Sequence, residues 1–283
     1  MKIEAVTVCV GYCDILAVTM AENLPLLDSL LVVTSKDDEE TQKVCKRHSV
    51  PYIATDEYKR EGPFNKARMI QRGFDSIGGR DWILHLDADV VLPQKFRRLA
   101  DWAHVDERFI YGADRCNVTG WENWQALKRH VGSWDNHAFS CGHWFHPKFP
   151  VGSRWVSDIH GYVPCGFFQL FHGSELTQGG YHIKRYPFHH GDAARTDIQF
   201  GLQWDRQCRQ VLPEIICLHL ESEEGKLGVN WEGRKTKRFG PEFRPEPPKN
   251  HPPSHPHCPP KPPIHHPEPP HRPKPGPISG GHR

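Results

Sequence analysis

Short apolar runs alternate with segments of helical character over the first 93 residues, and this alternation restricts the chain to few architectures. The apolar runs, at 5–10, 30–34, 51–54 and 82–93, are compact and rich in β-branched residues. The segments between them, at 15–27, 37–48 and 64–77, have the character of helices. Strands that alternate with helices predict an α/β fold built on a parallel sheet with crossover connections.

Beyond Val91 the alternation weakens, and aromatic residues, Gly and His dominate. We expect this second half to be irregular and to cover the ligand-binding edge of the sheet. The length of 283 residues and the 37% hydrophobic content suffice for one substantial core. A formal net charge of +2 gives no general basic field, which argues against a general nucleic-acid binder.

From residue 241 onward the composition changes abruptly. Of the 26 prolines, 17 lie in this segment, together with seven histidines and almost no aliphatic residues. Such a segment buries too little apolar surface to offset its ordering entropy, so the sequence predicts one domain over 1–240 and a disordered tail over 241–283. A Pro-recognising partner or a metal ion would suit this tail, and a plain solvated extension is the simpler interpretation.

The amino-terminal segment and the cysteines indicate where the protein works. Glu4 and Asp14 interrupt the first apolar stretch, and no apolar run approaches the roughly 20 residues of a membrane span. Nine cysteines are scattered without paired spacing, which suits a reducing compartment. We therefore expect a cytoplasmic protein with neither a leader nor a membrane span.

An aspartate pair ends the apolar run at 82–93. In α/β sheets ligands bind at the carboxyl ends of the strands, which places Asp87 and Asp89 at the binding edge. Carboxylate oxygens suit Mg²⁺ or Mn²⁺, and such an ion would neutralise phosphate oxygens. Two solvated acids that cap a turn are the alternative. The same reasoning places further residues on this edge: Gly11, Tyr12, Asp14, Thr34, Thr55 and Asp56.

A second metal constellation competes with the aspartate pair. It consists of Cys141, His143 and His146, followed by Asp158, His160, His189 and His190. A structural zinc site usually draws four ligands from two well-spaced pairs, and no second pair has that spacing here. The sequence therefore favours the aspartate pair.

Five motifs in order resemble the family 2 glycosyltransferases and their relatives of the GT-A fold. They are Val-Gly-Tyr after the first strand, Phe-Asn-Lys-Ala-Arg, Leu-His-Leu-Asp-Ala-Asp, Thr-Asp-Ile-Gln-Phe and a late Leu-His-Leu. The resemblance covers residues 5 to 235. It implies a Rossmann-like nucleotide-sugar-binding half over 1–110 and an acceptor and catalytic half over 111–240.

The resemblance also implies roles for individual residues. Asp87, Asp89 and His219 would hold Mn²⁺ or Mg²⁺, and Asp197 would be the catalytic base, with Asp192 as its nearest substitute. The implied donor-binding residues are Val10, Gly11, Tyr12, Asp14, Thr34, Asp56, Asn65, Lys66, Asp87, Ala88, Gly166, Lys226, Trp231 and Arg234. The sequence departs from the family where Thr34-Ser35-Lys36 follows the second strand, since an acidic residue often stands there.

The implied activity is transfer of a sugar from a nucleoside-diphosphate donor, UDP-linked by default, to an acceptor hydroxyl with inversion. A glycan or small-molecule hydroxyl is the expected acceptor, and a hydroxymethylated DNA base is an alternative. Two other functions stay open. A sugar nucleotidyltransferase would need a Gly-rich phosphate loop after the first strand, which is not found. A non-catalytic carbohydrate- or partner-binding protein would not need the complete set of metal and base residues.

Overall fold

A computed structural model describes residues 1–60, 64–78, 81–131, 154–178, 181–182, 184–188, 195–223 and 234–241. All of them belong to one compact unit, Met1–Arg244. The predicted disordered tail lies outside the described residues, apart from Pro241. No helix in the described part of the chain is both long enough and apolar enough to cross a membrane.

Twelve strands and six α-helices are found in the described ranges. The strands are β1 (Ile3–Val8), β2 (Ser29–Ser35), β3 (Tyr52–Thr55), β4 (Trp82–Leu86), β5 (Val90–Val91), β6 (Ile110–Thr119), β7 (Trp155–Ser157), β8 (Gly161–Val163), β9 (Phe168–His172), β10 (Thr177–Gln178), β11 (Tyr181–His182) and β12 (Arg209–Glu221). The helices are α1 (Cys13–Asn23), α2 (Glu39–Arg47), α3 (Lys66–Ile77), α4 (Phe96–Trp102), α5 (Trp121–Val131) and α6 (Thr196–Gly201).

The main sheet has eight strands in the order β3-β2-β1-β4-β9-β6-β12-β5. Strands β3, β2, β1 and β4 are parallel, and helical crossovers connect them, so the predicted α/β class is confirmed. The sheet is mixed rather than wholly parallel, because β9 runs antiparallel to both β4 and β6. The expectation of an irregular second half was too simple, since β6 and β12 form a long parallel pair in it.

The main sheet curls because β4 and β5 are joined by only three residues. Asp87, Ala88 and Asp89 lie between Leu86 and Val90, and this link spans at most about 14 Å. Four strand spacings separate β4 from β5 in the sheet, which is about 19 Å in a flat sheet. The sheet must therefore bend until its β12–β5 edge approaches the carboxyl end of β4.

Helix α3 packs closely on the parallel half of the sheet. Asn65 caps its first turn by accepting a hydrogen bond from Arg68 N at 3.2 Å, and Gly78 ends it in the left-handed conformation with φ of 76°. At Gly73 the helix lies so close to β1 that an added Cβ would stand 2.4 Å from Val6 Cγ1. This close approach brings the start of α3, and with it Lys66, to the binding edge of the sheet.

We expect Gly73→Ala to lower the free energy of unfolding by about 1–3 kcal/mol, because the new methyl group has no room between α3 and β1. Urea denaturation followed by circular dichroism measures the change. Ser76→Ala, at an exposed position of the same helix, is the matched control and should change stability by less than about 0.5 kcal/mol. Equal stability of the two variants would contradict the close packing.

Candidate functional site

The backbone of the Asp87-Ala88-Asp89 link is held by three hydrogen bonds, two from backbone groups and one from a side chain. Asp87 N donates to Phe167 O at 3.2 Å, and Leu220 N donates to Asp89 O at 2.8 Å. Thr19 Oγ1, on α1, donates to Ala88 O at 2.7 Å. The link between β4 and β5 therefore has a fixed backbone, and its two carboxylates are presented at one place.

Asp89 lies against His219, as the sequence predicts for two metal ligands. His219 Nε2 is 3.1 Å from Asp89 Oδ1, and the side chains are 8% and 24% exposed. Burial acts to raise the pKa of Asp89, but the neighbouring His219 and Lys66 outweigh it, so the pKa is lowered overall. Asp89 is thus an ionised carboxylate in a partly dry pocket.

Asp87 turns toward Lys66 instead. Lys66 Nζ lies 2.5 Å from Asp87 Oδ1, and both side chains are largely buried. Burial and the nearby Asp89 raise the pKa of Asp87 although Lys66 opposes this. Within the described ranges no three Cys, His, Asp or Glu side chains are grouped closely enough to hold a metal ion. The structure therefore brings Asp89 and His219 together, while Asp87 pairs with a cation of the chain itself.

Asp197 belongs to the same charged pocket. Its Oδ2 accepts a hydrogen bond from Gly166 N at 2.6 Å, and its Oδ1 accepts one from Ile198 N at 2.8 Å. Burial raises the pKa of Asp197, and the charge of Lys66 partly offsets the rise. Gly166 is required here, since an added Cβ would stand 2.6 Å from Asp197 Cβ. Gly166 and Asp197, both predicted from the sequence, are therefore in direct contact.

A buried hydrogen-bonded chain behind the carboxylates was not predicted. Tyr186 Oη donates to Gln169 Oε1 at 2.7 Å and lies 3.1 Å from His85 Nδ1. Gln169 Nε2 in turn donates to Asp197 O at 3.0 Å. Burial, followed by the charge of Lys66, lowers the pKa of His85 well below its usual value, so this histidine is neutral. The only sequence signal for this hydrogen-bonded chain was the presence of two polar residues, His85 and Gln169, within otherwise apolar strands.

The loop after β1 was predicted to surround a nucleoside. Gly11 has φ of 70°, and its N donates to Asp38 Oδ2 at 2.7 Å. Asp38 also caps α2 and contacts Thr34, which is fully buried. The sequence prediction missed Asp38, although an Asp before an acidic first turn is a recognisable helix N-cap. Asp38 therefore links the loop after β1 to the start of α2.

Asp14 forms an ion pair instead of facing an open pocket. Arg234 Nη1 and Nη2 donate to its two oxygens at 2.6 and 2.8 Å, and Phe239 N also donates to it. The Arg234 guanidinium lies 4.6 Å from the centre of the Tyr12 ring. Tyr12, Asp14 and Arg234, each predicted to bind the donor, thus contact one another, and they fasten the 234–241 segment to the loop after β1.

The remaining predicted residues have other contacts or lie elsewhere. Asp56 pairs with Lys36 at 3.1 Å on the surface, and Asn65 is 3% exposed and serves as a helix cap. Val10 packs against the apolar core, and Ala88 is buried in the link between β4 and β5. His160 stacks on Trp155. Outside the described residues lie Lys226, Trp231, Cys141, His143, His146, His189, His190 and Asp192.

Comparisons with known proteins give distant similarities only. No family model matches the sequence, and a search of curated proteins finds no match. A solved mycobacterial protein is 14% identical, covers 82% of this chain and 71% of its own, and has a TM-score of 0.45.

Two other solved structures are named for their activity. Glucosyl-3-phosphoglycerate synthase from Mycobacterium tuberculosis, in complex with Mn²⁺, UDP and phosphoglyceric acid, is 15% identical over 77% of this chain and 70% of its own, with a TM-score of 0.42. Mannosyl-3-phosphoglycerate synthase from Rubrobacter xylanophilus is 21% identical over 41% of both chains, with a TM-score of 0.33. At these values the function has to be argued from the site itself.

We expect Asp14→Asn to lower the free energy of unfolding by about 2–3 kcal/mol, because Arg234 would lose the carboxylate that both of its terminal nitrogens contact. Thermal and urea unfolding measure the change. Lys43→Gln removes one partner of an exposed pair with Glu39 and should cost less than about 0.5 kcal/mol. If Asp14→Asn is as stable as this control, the ion pair does not fasten the 234–241 segment.

Proposed function

We propose that this protein is a metal-dependent glycosyltransferase of the GT-A type that uses a nucleoside-diphosphate sugar. The observation that carries the proposal is the gathering of Asp87, Asp89, His219 and Asp197 around Lys66 where the curled sheet brings β4 and β12 together. Three carboxylates, one imidazole and one ammonium group in a partly buried pocket suit a substrate that carries a metal-bound diphosphate.

Asp89 and His219 are the residues that would hold Mn²⁺ or Mg²⁺. Two adjacent ligands of an octahedral ion with bonds of about 2.1 Å stand about 3 Å apart. Their observed separation of 3.1 Å fits this value. Asp87 would join them when Lys66 moves from its carboxylate to a phosphate oxygen. A bound ion would supply charge neutralisation for the leaving diphosphate.

Asp197 would act as the general base. The acceptor oxygen attacks the anomeric carbon while the bond from that carbon to the diphosphate oxygen breaks, and the nucleoside diphosphate leaves with the bonding electron pair. The acceptor proton passes to Asp197, whose raised pKa makes it a better proton acceptor than an exposed carboxylate. Attack from the face opposite the leaving group would invert the anomeric carbon. Lys66, next to Asp87, would meet the developing negative charge.

The loop after β1 would hold the nucleoside, with UDP as the default donor. Gly11 and Tyr12 follow the carboxyl end of β1, and β1 pairs in parallel with β4. The acceptor would be a glycan or a small molecule with a hydroxyl group.

The seven cysteines in the described part of the chain are all free, which supports the cytoplasm as the compartment of this protein. Residues 1–110 and 111–240 would serve as donor and acceptor halves, followed by the tail.

We expect the protein to bind UDP in the presence of Mn²⁺, and we expect EDTA to abolish this binding. Asp89→Asn should weaken UDP binding at least about tenfold, because it removes one charged ligand of the ion. Calorimetric titration measures both effects, with GDP as the comparison nucleotide. Asp101→Asn, an exposed residue beside the chain's amino terminus, should bind like the wild type.

The titration also separates the alternatives. Binding of GDP instead of UDP would keep the donor site and change the base that it accepts. If neither nucleotide binds with Mn²⁺, the donor site as proposed is wrong, and a non-catalytic carbohydrate- or partner-binding protein becomes the better reading. A sugar nucleotidyltransferase would bind a nucleoside triphosphate more tightly than UDP.

We expect Asp197→Asn to slow nucleotide release from UDP-glucose about 10²- to 10⁴-fold, because an amide cannot accept the proton of the attacking hydroxyl. With water as the acceptor, released UDP can be followed by a coupled assay. UDP affinity should be unchanged in this variant, since Asp197 lies outside the proposed metal ligands. Asp205→Asn, an exposed residue after α6, is the matched control. Equal rates for wild type and Asp197→Asn would exclude Asp197 as the base.

A further inference from the structure

One face of the β6–β12 pair carries polar side chains in a part of the sheet that is otherwise apolar. Arg115, Asn117 and Thr119 alternate along β6 and so share a face. Their register partners on β12 are Cys217, His219 and Glu221. The opposite face of the same strands belongs to an apolar core cluster: Cys116, Val118, Leu218 and Leu220. We name Arg115, Asn117 and His219 the polar strip.

Arg115 has no ionic partner in the described part of the chain. Its guanidinium lies 4.9 Å from the centre of the Phe167 ring, and its Nε is buried without a hydrogen-bond partner. Arg154, which is close in the fold, forms two hydrogen bonds with Asp114 at 2.7 and 2.6 Å. An arginine fixed on an aromatic ring, with its planar donors unpaired, is suited to a carboxylate or phosphate.

Asn117 provides a second, independent observation. Its side chain is fully buried, and neither of its polar atoms has a hydrogen-bond partner. Leaving such atoms unpaired costs about 1–3 kcal/mol each, so they rarely occur without a reason. Asn117 lies between Arg115 on its own strand and His219 on the next, and His219 Nδ1 is also buried and unpaired. The polar strip therefore carries buried polar atoms that no described residue pairs with.

Phe167 places the polar strip next to the proposed base rather than next to the nucleoside. Its carbonyl accepts from Asp87 N, and the preceding Gly166 N donates to Asp197. Burial raises the pKa of Cys165 to about 11, and Asp197 and Arg115 act on it in opposite directions, so both charges lie near this thiol.

The two faces of the β6–β12 pair separate the polar strip from the loop after β1. Tyr12, in that loop, packs against the apolar cluster on one face, and the polar strip lies on the other face. The polar strip is thus on the side from which the acceptor would reach the base.

We propose that Arg115, together with Asn117, binds a carboxylate or phosphate group of the acceptor, so that the acceptor is a small anionic molecule with a hydroxyl group. This inference rests on the proposed function for the position of the base. The inference favours an anionic acceptor over a neutral glycan, because a neutral glycan offers Arg115 no charged partner.

The test uses the full chain saturated with Mn²⁺ and UDP. Glycerate, glycerol 3-phosphate and neutral glycerol are titrated into wild type, R115M, R115K and R108M. Arg108 is an exposed residue just before β6 and serves as the control. We expect at least one of the two anions to bind more tightly than glycerol, and R115M to weaken that binding at least about tenfold. R115K keeps the charge without the planar donors, so its affinity for the anion should lie between those of R115M and the wild type. The affinity of R108M should match that of the wild type.

Three outcomes would overturn the inference. Equal binding of glycerol and the two anions, or equal binding of an anion by R115M and wild type, would show that Arg115 is only a packing residue. Loss of Mn²⁺–UDP binding in a folded R115M would assign Arg115 to the donor diphosphate. If wild type does not bind Mn²⁺–UDP, the donor site fails separately, and the same anion titrations without nucleotide still decide the role of Arg115. The tighter of the two anions identifies carboxylate or phosphate.

Discussion

The three-residue link between β4 and β5 determines where the candidate site forms. Because it joins strands that are not neighbours in the sheet, the sheet must curl. The pairing of β5 with β12, in which Val90 lies opposite His219, then places His219 against Asp89. Helix α1 holds the link in place: Asn23 Nδ2 donates to Val90 O at 2.8 Å, and its Oδ1 accepts from Leu92 N at 2.9 Å. The geometry of the pocket thus depends on a few buried hydrogen bonds to one short segment.

Charge balance in this pocket follows from that geometry. Burial disfavours the ionised form of every carboxylate, but the partners differ: His219 lowers the pKa of Asp89, whereas Asp87, beside another acid, has a raised pKa despite Lys66. Lys66 keeps its proton even though it is buried, because Asp87, Asp89 and Asp197 surround it. The ammonium group offsets part of the negative charge.

The sequence predicted the parts of the fold that depend on local pattern. Strands β1 and β2 and helices α2 and α3 lie close to their predicted positions, since apolar runs and helix caps are encoded within about ten residues. The pairing of strands that are far apart in the sequence could not be predicted in the same way. Strand β6 (Ile110–Thr119) contains Asp, Arg and Asn and lacks a continuous apolar run, so neither the strand nor its pairing with β12 could be predicted from local pattern. The Gly11–Asp38 hydrogen bond and the Asp14–Arg234 ion pair also join residues that are far apart in the sequence, so local pattern did not predict them.

Hydrogen-bond satisfaction separates structural polar residues from those available to a ligand. Asp14 and Asn65 were predicted to bind the donor, yet their side chains are engaged by Arg234 and by the start of α3. Asn117, His219 Nδ1 and Arg115 Nε are buried and unpaired, and they lie on one strip beside the acids. A folded chain tolerates such groups at a cost in stability when a bound molecule completes them. Three such side chains therefore lie together on the β6–β12 face, whereas Asp14, in the loop after β1, is already paired.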